Sequence, residues 1–196
     1  MSDNLSNLLR EICSGTPKQL TKRAALFRKG EATNAIYSIE QGQVRLVRPT
    51  QDGNVAVIHI GLGGETFAEA ALFSDVYHCD AIADEDSEII VYDSTIIRNK
   101  LEKDSKLSML FIQCLAKQVQ QLRAISEIRN IRSAKDRIME YFKYLAYPHK
   151  EFVLTGSFKD CACRLSLTHE TFYRKLAELE KEALVTRQGL RIILSV

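Results

Sequence analysis

The stretch AIYSIEQGQVRLVRPTQDGNVAVIHIGLGGETF, residues 35–67, alternates apolar and polar side chains and is cut by glycines at short intervals. Tyr37 and Ile39, then Val44 and Leu46, then Val55 and Val57 keep a period of two, the signature of half-buried strands. QDGN, residues 51–54, is a hairpin turn signal. The same texture runs from Leu20 to Asp93, with SEIIVYD as one more strand. Many short, closely spaced strands predict a small double-stranded β-barrel or jelly roll.

Outward from this stretch the period changes. Residues 94–146 contain no glycine or proline, and apolar residues return at helical spacing. Leu107, Leu110, Phe111, Cys114, Leu115, Val119, Leu122, Ile125 and Ile128 form a stripe on a helix expected over 106–132. Such a helix is roughly 40 Å long at 1.5 Å per residue, more than a domain this size covers. Leu115, Val119 and Leu122 are therefore the candidate seam of a homodimer; packing of the helix on its own barrel is the alternative. At the N-terminus, Leu5, Leu8, Leu9 and Ile12 fall on one face of a short amphipathic helix.

Beyond a joint at IRSAKDRI, residues 131–138, comes a helix carrying Ile138, Tyr141, Phe142 and Leu145, which ends at Pro148. KEFVLTGSF, residues 150–158, reads as a strand and turn. Ser157 and Asp160 have capping-box spacing. Two short helices follow with a four-residue gap, then a hairpin around Gly189. Phe172, Leu176 and Leu179 make the inner face of the second helix, a helix-turn-helix arrangement. Glu170 and Arg174 lie together on the opposite face. A carboxylate accepts from the cytosine amino group and a guanidinium pairs with guanine, so these two suit base reading. Thr168 suits an N-cap that leaves nearby amides for a phosphate, with His169 and Lys175 flanking. A solvated Glu170–Arg174 pair worth about 0.3–0.5 kcal/mol is the competing interpretation.

LTHETFYRKLAELEKEALVTRQGLRIIL, residues 167–194, resembles the winged helix-turn-helix of the Crp/Fnr family of bacterial regulators, and residues 26–73 resemble that family's sensory barrel. The resemblance implies an α+β chain divided as a cyclic nucleotide-binding-like barrel over 1–105, a dimerisation helix over 106–132 and a DNA-binding domain over 133–196. Glu170, Thr171 and Arg174 match the family's E-T-x-x-R, which carries base reading to Glu170 and Arg174. Ser166 stands where the family's turn glycine is usual. The implied partners are double-stranded DNA, a second copy and RNA polymerase, with an unidentified small effector.

The effector loop, FAEAALFSDVYHCDAIA at 67–83, departs from that family. Its cyclic-nucleotide-binding members resemble one another in G-E-L, a spacer, then R-S-A. Here Ala68 replaces the glycine, Glu69 keeps the glutamate, and Cys79 and Asp80 replace the phosphate-binding arginine and serine. A phosphate needs a cation or donors. The long-helix positions that meet the base fall at Leu122 and Arg123. Glu69, His78, Cys79, Asp80, Leu122 and Arg123 are thus a candidate pocket in which cyclic AMP does not fit. An iron–sulfur cluster fits no better, since only Cys13 lies near the N-terminus. The haem-binding branch places a ligand just after the loop's phenylalanine, where this chain has Ala68, Glu69 and Ala70. That leaves His59 and His78 as haem or metal ligands, the alternative to their reading as structural histidines. No metal is expected. Two alternatives remain open: Asp80 holds the neighbouring His78 imidazole protonated, or the pocket admits a neutral or cationic effector.

Composition sets the outer bounds. The 196 residues are 45% hydrophobic and 27% charged. Residues 1–132 carry 16 basic and 17 acidic side chains, and 133–196 carry 11 and 8, so the excess of positive charge is C-terminal. Five scattered cysteines read as reduced thiols. With no membrane-length apolar run and no signal-peptide pattern at the start, the chain reads as cytoplasmic. No Ser/His/Asp or paired-carboxylate arrangement points to an enzyme.

Overall fold

The computed structural model describes residues 5–50, 52, 55–154 and 156–195. The chain divides into two compact units, Met1–Lys117 and Gln118–Val196.

The first unit begins with α1 (Leu5–Ile12), whose four apolar residues are all buried as their spacing requires. Strands β1 (Thr16–Leu20), β2 (Ala25–Phe27), β3 (Ala35–Gln41), β4 (Gln43–Pro49), β5 (Val55–Leu62), β6 (Thr66–Phe67), β7 (Asp80–Ala83) and β8 (Ser87–Asp93) follow. They form two antiparallel sheets, ordered β1-β8-β3-β6 and β2-β7-β4-β5. Between the sheets lies a core that includes Phe27, Tyr37, Ile39, Val44, Phe67, Ala81 and Ile89. Pro17, which cannot donate to a ladder, sits on edge strand β1. Strands β3 and β4 are joined at Gly42 with φ +92°, where a Cβ would come within 2.7 Å of the Ser87 backbone. Only glycine satisfies both demands.

The period of two holds in β3 because both of its faces are covered. Tyr37 and Ile39 face the barrel core, whereas Ile36 joins Tyr92, Ile97 and the leucines of α1 in a second core. The expectation fails in β5. Val55, Val57 and Ile58 are half or more exposed, because β5 is an edge strand with β4 as its neighbour in the sheet. Most of the QDGN turn lies outside the described residues, although β4 and β5 pair as an antiparallel hairpin up to Pro49 and Val55.

After the barrel come α2 (Ser94–Lys103) and α3 (Ser105–Arg129). Asp104 separates them: its Oδ1 accepts from the amides of Lys106 and Leu107 at 2.9 and 3.1 Å and so starts α3. The apolar stripe of α3 is not one surface. Phe111 and Cys114 are buried with α1, and Leu107, Leu110 and Leu115 pack partly against that same core. Val119 and Leu122 are exposed at 44% and 57%. Ile128 is buried in the core of the second unit. Packing of the helix on its own barrel is therefore correct for the first half, and Leu115 leans on its own protomer. Ile112 is also 56% exposed, although the expected apolar stripe leaves it out.

The second unit continues with α4 (Ala134–Ala146), β9 (Glu151–Val153), α5 (Phe158–Arg164), α6 (His169–Lys181), β10 (Val185–Gln188) and β11 (Arg191–Leu194). Its sheet is ordered β10-β11-β9. Ile138, Phe142, Leu165, Phe172 and Leu176, each at most 1% exposed, make its core. Burying each such side chain contributes about 1.5–3 kcal/mol. Among the described residues, no helix is long and apolar enough to cross a membrane.

Candidate nucleic-acid interface

Helix α5 opens on the expected capping box. The Asp160 amide donates to Ser157 Oγ at 3.2 Å, and the Ser157 amide donates to Asp160 Oδ2 at 2.7 Å. Cys161 is buried in the core, and that burial pushes its thiol up to about 12, so it stays protonated at neutral pH. The chain then turns through Leu165–Thr168 with Ser166 at φ 53°. Arg137 of α4 holds this turn by donating to the Leu165 carbonyl at 3.0 Å. Thr168 caps α6, its Oγ1 accepting from the Thr171 amide at 3.2 Å. The Ser166 conformation is one that glycine adopts without steric cost. Ser166→Gly should raise stability by up to about 1 kcal/mol in urea denaturation with an unchanged slope; a loss would show that the serine side chain supports the turn.

On α6, Phe172, Leu176 and Leu179 face inward, so the other side of the helix is presented to solvent. Thr168, His169, Glu170 and Arg174 are exposed, as expected. Thr171 and Lys175 are half-buried. Lys175 Nζ donates to both Glu178 oxygens at 2.7 and 2.8 Å, which holds the Glu178 carboxyl below its usual range. Among the described residues no ion pair joins Glu170 to Arg174, so both are open to a ligand. Tyr173 and Ala177 complete the exposed stripe at i+3 and i+7 from Glu170. Tyr173 packs edge-on against His169, with centroids 4.5 Å apart. The helical period that finds Glu170 and Arg174 also finds these two, but their chemistry gives no reason to single them out. The hairpin β10–β11 forms the wing, turning at Gly189 with Leu190 exposed. Arg187 lies 5.5 Å over the Phe158 ring and bonds Glu180 at 2.9 Å.

In the first unit, the loop over 67–83 sends its candidate residues to different partners. Ala68 takes the left-handed conformation at φ 66°, as a glycine position would, and a 3-10 turn follows at Glu69–Leu72. Glu69 accepts from Thr66 Oγ1 at 2.8 Å. His78 is exposed, with Nε2 3.0 Å from Ser74 Oγ. Asp80 accepts from the Lys29 amide at 2.8 Å and from Arg28 Nη1 at 3.2 Å, so it ties β7 to the end of β2. Of the two alternatives for this loop, the Asp80–His78 pair is not made among the described residues. Cys79 packs partly against the barrel core, and burial pushes its thiol up while Arg48 opposes the shift. Within the barrel, Phe27 stacks on Tyr77 at 3.8 Å, Tyr37 on Phe67 at 5.3 Å, and the Tyr37 and Tyr77 hydroxyls meet at 3.0 Å. Leu122 and Arg123 are exposed on the second half of α3. Among the described residues no group of three or more His, Cys, Asp or Glu gathers to hold a metal.

Residues 17–104 match the cyclic nucleotide-binding domain family. The transcriptional regulator LdrP of Thermus thermophilus is 23% identical over 183 residues, covering 90% of this chain and 91% of that protein. Two solved structures share the fold: FixK2 from Bradyrhizobium japonicum, with TM-score 0.64, 20% identity and 93% of each chain covered, and a CRP-family transcriptional regulator from Thermus thermophilus, with TM-score 0.56, 22% identity and 90% and 91% covered. The chain carries a cyclic nucleotide-binding domain and has the fold of a CRP-family regulator. Within this fold, the barrel loop has a left-handed residue at Ala68 before Glu69, and at Cys79 and Asp80 it carries a half-buried thiol and a carboxylate already bonded to Arg28.

Proposed function

We propose that the protein is a cytoplasmic, homodimeric transcription regulator that reads a two-fold DNA site with α6. The observation that carries this reading is the exposed stripe of Glu170, Tyr173 and Arg174 on the second helix of a helix-turn-helix, with no ion pair to Glu170 or Arg174 among the described residues. Glu170 and Arg174 reach base edges, while Thr168 and His169 face the sugar–phosphate backbone at the helix start. Functionally the chain divides into a sensory barrel over 1–105, a dimer helix over 106–132 and a reader over 133–196, with RNA polymerase as the downstream partner. Titrating the protein against duplexes selected from a random pool tests this. A palindromic consensus bound far above random DNA, with affinity falling steeply as salt rises, is the expected result. Equal affinity for selected and random duplexes would remove the sequence-reading role.

The effector is not a cyclic nucleotide. Hydrogen bonds to charged groups contribute roughly 1.5–3 kcal/mol each, and the loop has lost two such partners for a phosphate. That loss moves a micromolar site toward millimolar, at tenfold per 1.4 kcal/mol. Calorimetric titration with cyclic AMP and cyclic GMP should show no saturable binding below about 100 µM. A second reading, a redox, haem or other small-molecule sensor whose DNA binding awaits its effector, draws on this same departure. Its redox form is weakened by the raised Cys79 thiol, since the thiolate is the reactive species.

A further inference from the structure

Beside the 67–83 loop, the first unit holds a cavity of about 420 Å³ that includes none of the candidate phosphate-site residues in its lining. Leu72 and Phe73 from the loop, Leu101 from α2, and Phe111 and Ile112 from α3 give it an apolar wall. Its size falls within the range of small-molecule sites, which are concave and apolar with few polar groups. Phe73 at its lip is 81% exposed and Ile112 is 56% exposed. Aromatic and branched apolar surface left this open is not explained by the folding of the unit. Two charged side chains also line the cavity, Arg98 and Glu102, one helical turn apart on α2. Among the described residues Arg98 makes no ion pair, and α2 carries three bases (Arg98, Lys100, Lys103) against Glu102 alone. Ser108, the other polar residue of the lining, already donates its hydroxyl to the Leu101 carbonyl.

We infer that this cavity is a binding site for an amphipathic carboxylate, its apolar body between Phe73, Leu101, Phe111 and Ile112 and its carboxylate on Arg98. The guanidinium fork accepts a carboxylate through two parallel bonds, and the positive balance of α2 favours an anion over an amine. Few hydrogen-bonding groups line the cavity, which disfavours a sugar or nucleotide. A concave pocket holds a small molecule better than a strand or helix of a second copy, the other candidate occupant.

The purified full-length chain tests this without DNA, so the outcome is independent of the recognition-helix reading. Anilinonaphthalene sulfonate is bound first and then displaced with decanoate, decanol or decylamine, each below its micelle concentration. Decanoate should displace the dye saturably, at about one molecule per chain and at least tenfold more tightly than decanol or decylamine. Arg98→Gln, at an exposed position, should erase the advantage of decanoate over decanol. Ile112→Trp, which adds bulk at the mouth, should weaken both. Equal binding of the three ligands, non-saturable displacement, or an unchanged preference in Arg98→Gln would overturn the inference. So would a chain that binds none of them while Ile112→Trp alters its sedimentation, which would assign the face to a second copy.

Discussion

Leu122→Glu should turn the protein into a monomer and lower its affinity for a palindromic operator by a factor on the order of 10²–10⁴, the gain that linking two binding modules supplies. The open side of α3 carries Val119 and Leu122, three residues apart, which is the a-to-d spacing of a two-helix seam. In a dimer with two-fold symmetry each of these residues lies near its own copy, so one glutamate per chain becomes two facing charges in an apolar contact. The same substitution disturbs the protomer little, because Leu122 is 57% exposed there and surface changes shift stability by about 0.5 kcal/mol or less. Leu115 gives a less clean test, since it leans on the core shared with α1. Sedimentation velocity on Leu122→Glu and Val119→Glu, with circular dichroism to verify folding, separates the cases. A dimer that survives both substitutions removes α3 as the interface.

Arg174→Ala should cost about 1–3 kcal/mol on the best operator and relax the preference at one base pair per half-site. The arginine makes no ion pair among the described residues and is the weakest influence on the Glu178 carboxyl. Most of the loss then reports the DNA contact. Lys175→Ala should behave differently, because its ammonium is held by Glu178 and its side chain is half-buried. It should change operator affinity by less than Arg174→Ala and leave sequence preference intact. Selection from a random pool with each variant reads both effects. If Arg174→Ala weakens selected and random duplexes equally, the residue touches phosphate and not bases.

Elements whose partners are local in the chain are legible in its sequence: the four buried positions of α1, the Ser157–Asp160 box, the Thr168 cap and the two faces of α6. Left-handed backbone at Ser166 is legible too, because it stands at a glycine position of the family pattern, whereas that at Ala68 emerges only in the structure. What escapes depends on neighbours remote in the chain. A period of two does not tell an edge strand from a central one, so it puts Val55 and Val57 inside while sheet order leaves them open. A helical stripe likewise does not reveal where its coverage changes from one partner to the next along α3. Proximity in sequence assigns the loop carboxylate Asp80 to His78, but strand pairing brings it to Arg28, 52 residues away. Its bond to Arg28 also reduces the repulsion toward a phosphate that the sequence alone suggests.

The tyrosine pair inside the barrel has an optical consequence. The chain contains no tryptophan, so its near-ultraviolet signal rests on seven tyrosines, three in the first unit and four in the second. Tyr37 and Tyr77 are each 5% exposed, joined through their hydroxyls and stacked on neighbouring rings, and Tyr92 is fully buried. Tyr144 and Tyr147 are exposed at 38% and 84%. Fixed, asymmetric surroundings generate near-ultraviolet dichroism and solvent-averaged ones do not. Tyr141, 4% exposed, is the second unit's buried tyrosine, against three in the first. The native band is therefore weighted toward the barrel, and melting of the first unit can be followed in the unlabelled protein while the far-ultraviolet signal follows the helices of both.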